Sequence, residues 1–142
     1  MFKFRKAKNT DIEFLVNLRK VTMHQHLLNA GIELKGKDHL DRVLYEFECS
    51  KIVIVDGVEA GLLKVNRSQN PWKLIQIQLA SEIQGRGLGK KIVQNLVSEA
   101  KKIGINIELS VLRENRARKL YESCGFSVIN EKKYEYMMRT DT

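Results

Sequence analysis

Three glycines alternate with other residues in Gln84-Gly85-Arg86-Gly87-Leu88-Gly89-Lys90-Lys91, between an apolar strand pattern and an amphipathic helix pattern. Free backbone N–H groups at a helix N-terminus bind anions, and glycine lets the backbone approach a ligand closely. Arg86, Lys90 and Lys91 add positive charge. The two lysines fall where the helix macrodipole prefers acids, a cost that a bound anion would offset. The segment therefore reads as a phosphate cradle. The plainer reading is a flexible turn with solvated lysines. A Walker A loop does not fit, because Gly85 to Gly89 is one residue short and Lys91 stands where Ser or Thr would hold magnesium. A dinucleotide fingerprint lacks its third glycine, whose place is Lys90. Glu108 lies near where a ribose acid would be, but three strands precede the loop instead of one βαβ unit.

The elements that must position this loop follow from periodicity. Phe2 to Ala7 alternates as a strand. Thr10 with Glu13 has capping-box spacing ahead of a helix bearing Ile12, Leu15, Val16, Leu18 and Met23. A second helix is expected from Asp38 to Phe47, with Leu40, Val43, Leu44 and Phe47 inward. Lys51–Val55 and Val58–Val65 form a hairpin about Asp56-Gly57. Asn66 to Pro71 is a loop. Trp72 to Leu79 is a strand with Trp72, Leu74, Ile77 and Leu79 packed. The helix after the loop runs to about Ile103 with a stripe of Leu88, Ile92, Leu96 and Ala100, and Val93 and Val97 beside it. Ile105–Val111 is a strand, Asn115 caps a short helix ending at Cys124, and Phe126–Ile129 and Tyr134–Met138 are the last strands. The order β-α-α-β-β-β-α-β-α-β-β implies an α/β fold with a mixed sheet and helices on its faces, not a doubly wound parallel one.

With 142 residues, one domain over residues 1–142 is expected, large enough to bury a core without staples. The net charge of +8 favours anionic partners, including a phosphorylated cofactor. A nucleic-acid module is disfavoured, since aromatics make up 7% and do not interleave with the basic residues. Cys49 and Cys124 make neither a disulfide framework nor a zinc site, so no metal is expected. No signal-peptide pattern or long apolar run is seen, which points to a cytoplasmic protein without membrane contact.

A second segment, Asn115-Arg116-Ala117-Arg118-Lys119-Leu120-Tyr121-Glu122-Ser123-Cys124-Gly125-Phe126, turns pattern into resemblance. With Gln84 to Gly89 it resembles two motifs of the GNAT superfamily of acyl-CoA-dependent N-acetyltransferases, Q/R-x-x-G-x-G/A and N-x-A-x-x-L-Y-x-x-x-G-F. Tyr134 to Arg139 is similar to the family's final strand. Residues 72 to 139 are well covered; residues 1 to 71 match mainly through element order and Val58-Glu59-Ala60-Gly61. The resemblance implies a mixed, predominantly antiparallel sheet flanked by helices and transfer of acetyl from acetyl-CoA to a primary amine by direct attack. It implies that backbone amides of Gln84, Gly85, Arg86, Gly87, Leu88, Gly89 and Lys90 hold the coenzyme A pyrophosphate. Ile77, Leu79 and Ala80 would pair with the pantetheine arm, and amides from Leu79 to Ser81 would face the thioester oxygen. Asn115 would touch the cofactor, and Tyr121 would protonate the leaving thiolate. A homodimer is common among such proteins.

One departure concerns the base. Relatives often place a glutamate on the strand before the loop, and here Gln76 takes that position, with Glu82 the nearest acid in sequence. Glutamine cannot take a proton but can orient a water that does. The bland alternative leaves Gln76 and Gln78 facing solvent. A coenzyme A-binding sensor without activity is the competing function. By the same resemblance, acceptor choice would rest on about Arg19 to Glu48, which holds His24, His26, Glu33, Asp38, His39 and Asp41. His24 and His26 point to different helix faces and make a poor metal pair. Cys124 reads as core packing.

Overall fold

The computed structural model describes residues 2–32 and 35–141, and of Gln25 its backbone alone. The expected element order is present. It comprises β1 (Phe2–Lys6), α1 (Ile12–Asn29), α2 (Gly36–Leu44), β2 (Ser50–Val55), β3 (Val58–Asn66), β4 (Trp72–Leu79), α3 (Leu88–Lys102), β5 (Ile107–Leu112), α4 (Ala117–Ser123), β6 (Phe126–Glu131) and β7 (Glu135–Thr140). The strands hydrogen-bond in the order β1-β2-β3-β4-β5-β7-β6. The pairs β1/β2, β2/β3, β5/β7 and β6/β7 are antiparallel, while β4/β5 is parallel. This is a mixed, mostly antiparallel α/β fold.

The chain divides into two compact units, residues 1–65 with 76–84 and residues 66–75 with 85–142. In the first, Ala7, Leu15, Leu18, Val43, Ile52 and Leu62 form a buried cluster. Entry into α1 is fixed by Asp11, whose carboxylate accepts the Lys8 N–H (2.7 Å) and both Arg5 guanidinium ends (2.8 and 2.9 Å), not by a Thr10–Glu13 box. Asp11 wins because it is buried beside a cation that holds its carboxyl below the usual range. The second helix starts at Gly36 rather than Asp38 and ends at Leu44. That phase buries His39 and Val43, one turn apart, and leaves Leu40 and Leu44 exposed, 37% and 45%, against expectation.

What ends α2 comes from β3. Lys64 is wholly buried and donates to the carbonyls of Arg42 (3.1 Å), Val43 (2.9 Å) and Tyr45 (2.7 Å). Its three donors thus satisfy the orphan acceptors of a helix C-terminus and favour its dipole. The hairpin turn at Asp56-Gly57 has positive φ at both residues (50° and 81°), as its sequence requires. Gly61 is demanded by closeness: a Cβ there would meet the Gln78 carbonyl oxygen at 2.5 Å and Leu79 Cδ2 at 2.8 Å.

In the second unit, α3 buries Leu88, Ile92, Val93, Leu96 and Ala100, the expected stripe. Thr140 Oγ1 accepts the Ile107 N–H at 2.9 Å, and Trp72 N–H reaches the Asn106 carbonyl at 2.9 Å. Among the described residues no helix is long and apolar enough to cross a membrane.

Candidate functional site

The glycine loop makes the N-terminus of α3. Gly85 and Gly87 hold φ of 81° and 74°, and a Cβ at either would meet nothing within 4 Å, so conformation and not space selects glycine. Gly87 is the N-cap residue, and its carbonyl accepts the Lys91 N–H at 3.1 Å. The amides of Leu88, Gly89 and Lys90 precede that bond and have no partner within the helix. The first turn contains no acid. Its residues outside the buried Leu88 are half-buried Gly89 and exposed Lys90, with exposed Gly85, Arg86 and Gly87 before them.

Further along this unit, Asn115 Oδ1 accepts the Ala117 N–H at 2.9 Å, which orders the entry to α4. Tyr121 is buried and meets the Phe126 ring edge-on at 5.8 Å. Burial, then the nearby Cys124, pushes its phenol up to about 12. Cys124 is a half-buried free thiol. Glu108, the would-be ribose acid, is engaged by the guanidinium of Arg139.

The end of β4, from Gln76 to Leu79, belongs to the other unit and alternates. Parallel pairing with β5 covers Trp72 and Lys73 alone, and β4 runs on to Leu79. The Gln78 carbonyl lies against Gly61 of β3. Peptide groups alternate between strand edges, so the backbone groups of Ile77 and Leu79 point to the opposite edge. There the Leu79 carbonyl accepts Gln84 Nε2 at 2.9 Å. Ala80 belongs to the β3 side: its N–H is bound to the Ala60 carbonyl at 2.8 Å, and its carbonyl accepts the Ile83 N–H. Its amide is thus already committed to the fold.

The side chains of β4 hold a surprise. Trp72, Leu74, Gln76 and Gln78 are its buried face, while Ile77 and Leu79 are only half-buried. The bland reading of Gln76 and Gln78 as solvent-facing is therefore wrong, and so is the packed face assigned to Ile77 and Leu79. Alternation, not hydrophobicity, set the face. Neither Gln76 Oε1 nor Gln78 Oε1 has a hydrogen-bond partner among the described residues. Ala80, next in the alternation, packs against the cluster containing Leu15, Leu18 and Val43.

Three basic residues of this unit, Arg19, His39 and Lys64, lie in no motif of the sequence. All three are buried, to 8%, 0% and 6% exposure. Burial, then the charge of Arg42, brings Arg19 down to about 10. Burial, then Arg19, brings Lys64 down to about 8. Burial and then Arg19 also lower His39. One signal was readable: Arg19 follows Leu15 by four residues and so lies on the apolar stripe of α1. Of the other polar candidates, His24, Asp38 and Asp41 are at the surface or nearly so, and Asp38 caps the Lys35 N–H at 2.8 Å. Glu33 lies outside the described residues. Glu46, Glu48 and Cys49 bring three possible metal-ligand atoms within 4.8 Å, a set that exposed acids often form without an ion.

Residues 36–139 match the family model described as an acetyltransferase (GNAT) domain. No curated protein matches the sequence. Solved structures share the fold at low identity. A PaiA N-acetyltransferase from Thermoplasma acidophilum, in complex with coenzyme A, is 19% identical with a TM-score of 0.76 over 100% of this chain and 99% of its own. A GNAT-family acetyltransferase from Streptococcus agalactiae is 15% identical, TM-score 0.74, over 99% and 95%. The ribosomal-protein-S18-alanine N-acetyltransferase from Escherichia coli is 18% identical, TM-score 0.70, over 99% and 93%.

Proposed function

The chain belongs to the GNAT acetyltransferase family, and we propose that it transfers acetyl from acetyl-CoA to a primary amine by direct attack on the thioester. The observation that carries this reading is the N-terminus of α3, with two left-handed glycines, unpaired first-turn amides, lysines and no acid. That is the chemistry of a pyrophosphate site. The coenzyme A complex of the Thermoplasma relative supports the same ligand. Gln84 to Lys90 would hold the phosphates, and the outward edge of β4 at Ile77 and Leu79 would pair with the pantetheine amides.

An alkyl ammonium with a pKa of about 10.4 is neutral in about one molecule in 2,500 at pH 7, which costs roughly 4.6 kcal/mol of barrier without a base or desolvation. In the proposed step the neutral amine forms a C–N bond to the thioester carbon. A donor near Leu79 to Ser81 faces the oxyanion. As the C–S bond breaks, Tyr121 gives its proton to the thiolate, and a proton from solvent then restores the phenol. Its phenol, raised to about 12, is fully protonated at neutral pH and so able to donate. The surplus proton of the amine leaves through water, for which Gln76 Oε1, buried and unpartnered, is the proposed anchor. The absence of a carboxylate on β4 also favours a second reading, a coenzyme A-binding sensor with little turnover.

Thermal shift with acetyl-CoA, ATP and NAD tests the reading. A ligand at 100 times its Kd adds about 2.7 kcal/mol, or roughly 5 to 10 °C here. A shift with acetyl-CoA alone is expected; a shift with ATP or NAD instead would reassign the loop and remove the role given to Tyr121.

A further inference from the structure

Buried polar atoms are normally paired, so those that are not point to a missing partner. Five side-chain atoms in the unit of residues 1–65 and 76–84 are buried without one: Arg19 Nε, His39 Nδ1, Ser50 Oγ, Gln76 Oε1 and Gln78 Oε1. Apart from the Ser50 hydroxyl, which can donate or accept, they are of two kinds. Arg19 on α1 and His39 on α2 can donate, and the glutamine oxygens on β4 accept. Helices α1 and α2 pack on each other, and the Arg19 charge bears on both His39 and Lys64. Lys64 has all three donors engaged by α2 carbonyls, so it adds charge but no free hydrogen bond. No carboxylate among the described residues pairs with Arg19, and the charge that bears on it is another cation, Arg42.

A buried guanidinium without an anion is among the most costly arrangements a fold can keep. Packing alone would be served better by methionine. Its planar fork suits a carboxylate or a phosphate. We propose that Arg19 and His39 form a subsite on the α1–α2 pair for an anionic oxygen group carried by the acceptor amine. The acceptor is then an amine that also bears a carboxylate or phosphate, such as an amino acid or an aminoalkyl phosphate. The orphan oxygen of Gln78 supplies an acceptor for its N–H groups, and that of Gln76 keeps the water. This rests on the acetyl-transfer reading for the identity of the ligand, but the anion subsite stands on the helix pair itself.

The test uses matched amines that differ in the anion only: an α-amino acid against its primary amide, and phosphoethanolamine against ethanolamine. The full chain is labelled so that arginine Nε–Hε signals are resolved, and the Arg19 signal is followed. It should move saturably with the anionic member of at least one pair and stay still with the neutral one. The responding pair tells carboxylate from phosphate. In a thiol-release assay the wild type should favour the anionic member by roughly 10- to 100-fold in kcat/KM. In Arg19→Met that preference should fall to near one through KM, with acetyl-CoA affinity unchanged, and Arg19→Lys should restore part of it. The unliganded Arg19→Met protein should melt no lower than wild type, because an uncompensated cation has gone. Equal response to neutral and anionic members, or a preference that survives Arg19→Met, overturns the subsite. Anion binding at Arg19 without any acetyl-CoA binding keeps the subsite and sinks the transfer reading. Acetyl-CoA turnover without anion preference does the reverse.

Discussion

The two units treat charge in opposite ways. In the one containing α3, α4 and β5 to β7, arginines meet acids near the surface: Arg139 with Glu108, Arg67 with Glu99 at 3.3 Å, Arg118 with Glu122 at 3.6 Å, Arg113 with Glu131 at 3.9 Å. The last three are exposed pairs of a kind that contributes little stability, while Glu108 is partly buried. In the other, Arg5 is shared by Asp11 and Glu59 at the surface, yet Arg19 and Lys64 are buried without a salt bridge among the described residues. Lys64 shows that a buried cation can be structural when every donor is used. Arg19 shows the contrary case, a buried guanidinium that meets no acid among the described residues. The difference separates polar groups that build the protein from those held for something else.

The largest effect expected in breaking this contrast lies in the unit whose charges are paired. Tyr121→Phe should lower kcat by about 10² to 10⁴-fold, the usual contribution of a general acid, and leave acetyl-CoA affinity nearly unchanged. Steady-state kinetics with a thermal-shift control checks it. Unchanged turnover would make Tyr121 a packing residue like its neighbour Phe126.

A smaller effect tests whether Lys64 is structural. Lys64→Met should destabilise by roughly 1 to 3 kcal/mol at pH 7, because carbonyls at the end of α2 lose their donor. The deficit should then grow with pH. The folded chain releases the Lys64 proton near 8 and the unfolded chain near 10.5, so the unfolded state binds more protons between those values. Stability therefore rises through that window in the wild type, at roughly 1.4 kcal/mol per unit of pKa difference at most, and is flat below it. Denaturant melts of both proteins from pH 7 to 10.5 measure the gap; a constant gap would mean that burial does not disfavour the ammonium.

The smallest effect sharpens the role of the glycine loop. Gly87→Ala must hold φ near 74°, which costs an L-residue about 1 to 2 kcal/mol. A Tm lower by roughly 5 °C and weaker acetyl-CoA binding are expected. Loss of stability with unaltered binding would separate the helix cap from the phosphate site.

Much of the fold was legible because its signals are local. The Asp56-Gly57 hairpin, the α3 stripe and the glycine loop depend on residues a few positions apart, and the structure has them where spacing put them. The phase of α2 was not legible, because Leu40 and Leu44 look more apolar than His39. A nine-residue helix has too few turns for hydrophobicity to fix its rotation, and its neighbours chose instead. The end of β4 misled for a related reason: alternation gives two faces but not which one is covered. Gln76 and Gln78 were buried by where Trp72 and Leu74 must go.

The sequence by itself determined the order of elements, the anion-ready start of α3 and the identity of the motif residues, since each is set by backbone preference and short-range spacing. Only the tertiary structure decided that Lys64 would cap a helix twenty residues earlier in the chain, and that Arg19 and His39 would be buried unpaired. Such facts depend on which distant groups arrive beside a side chain and how much water they exclude, and no local pattern encodes either.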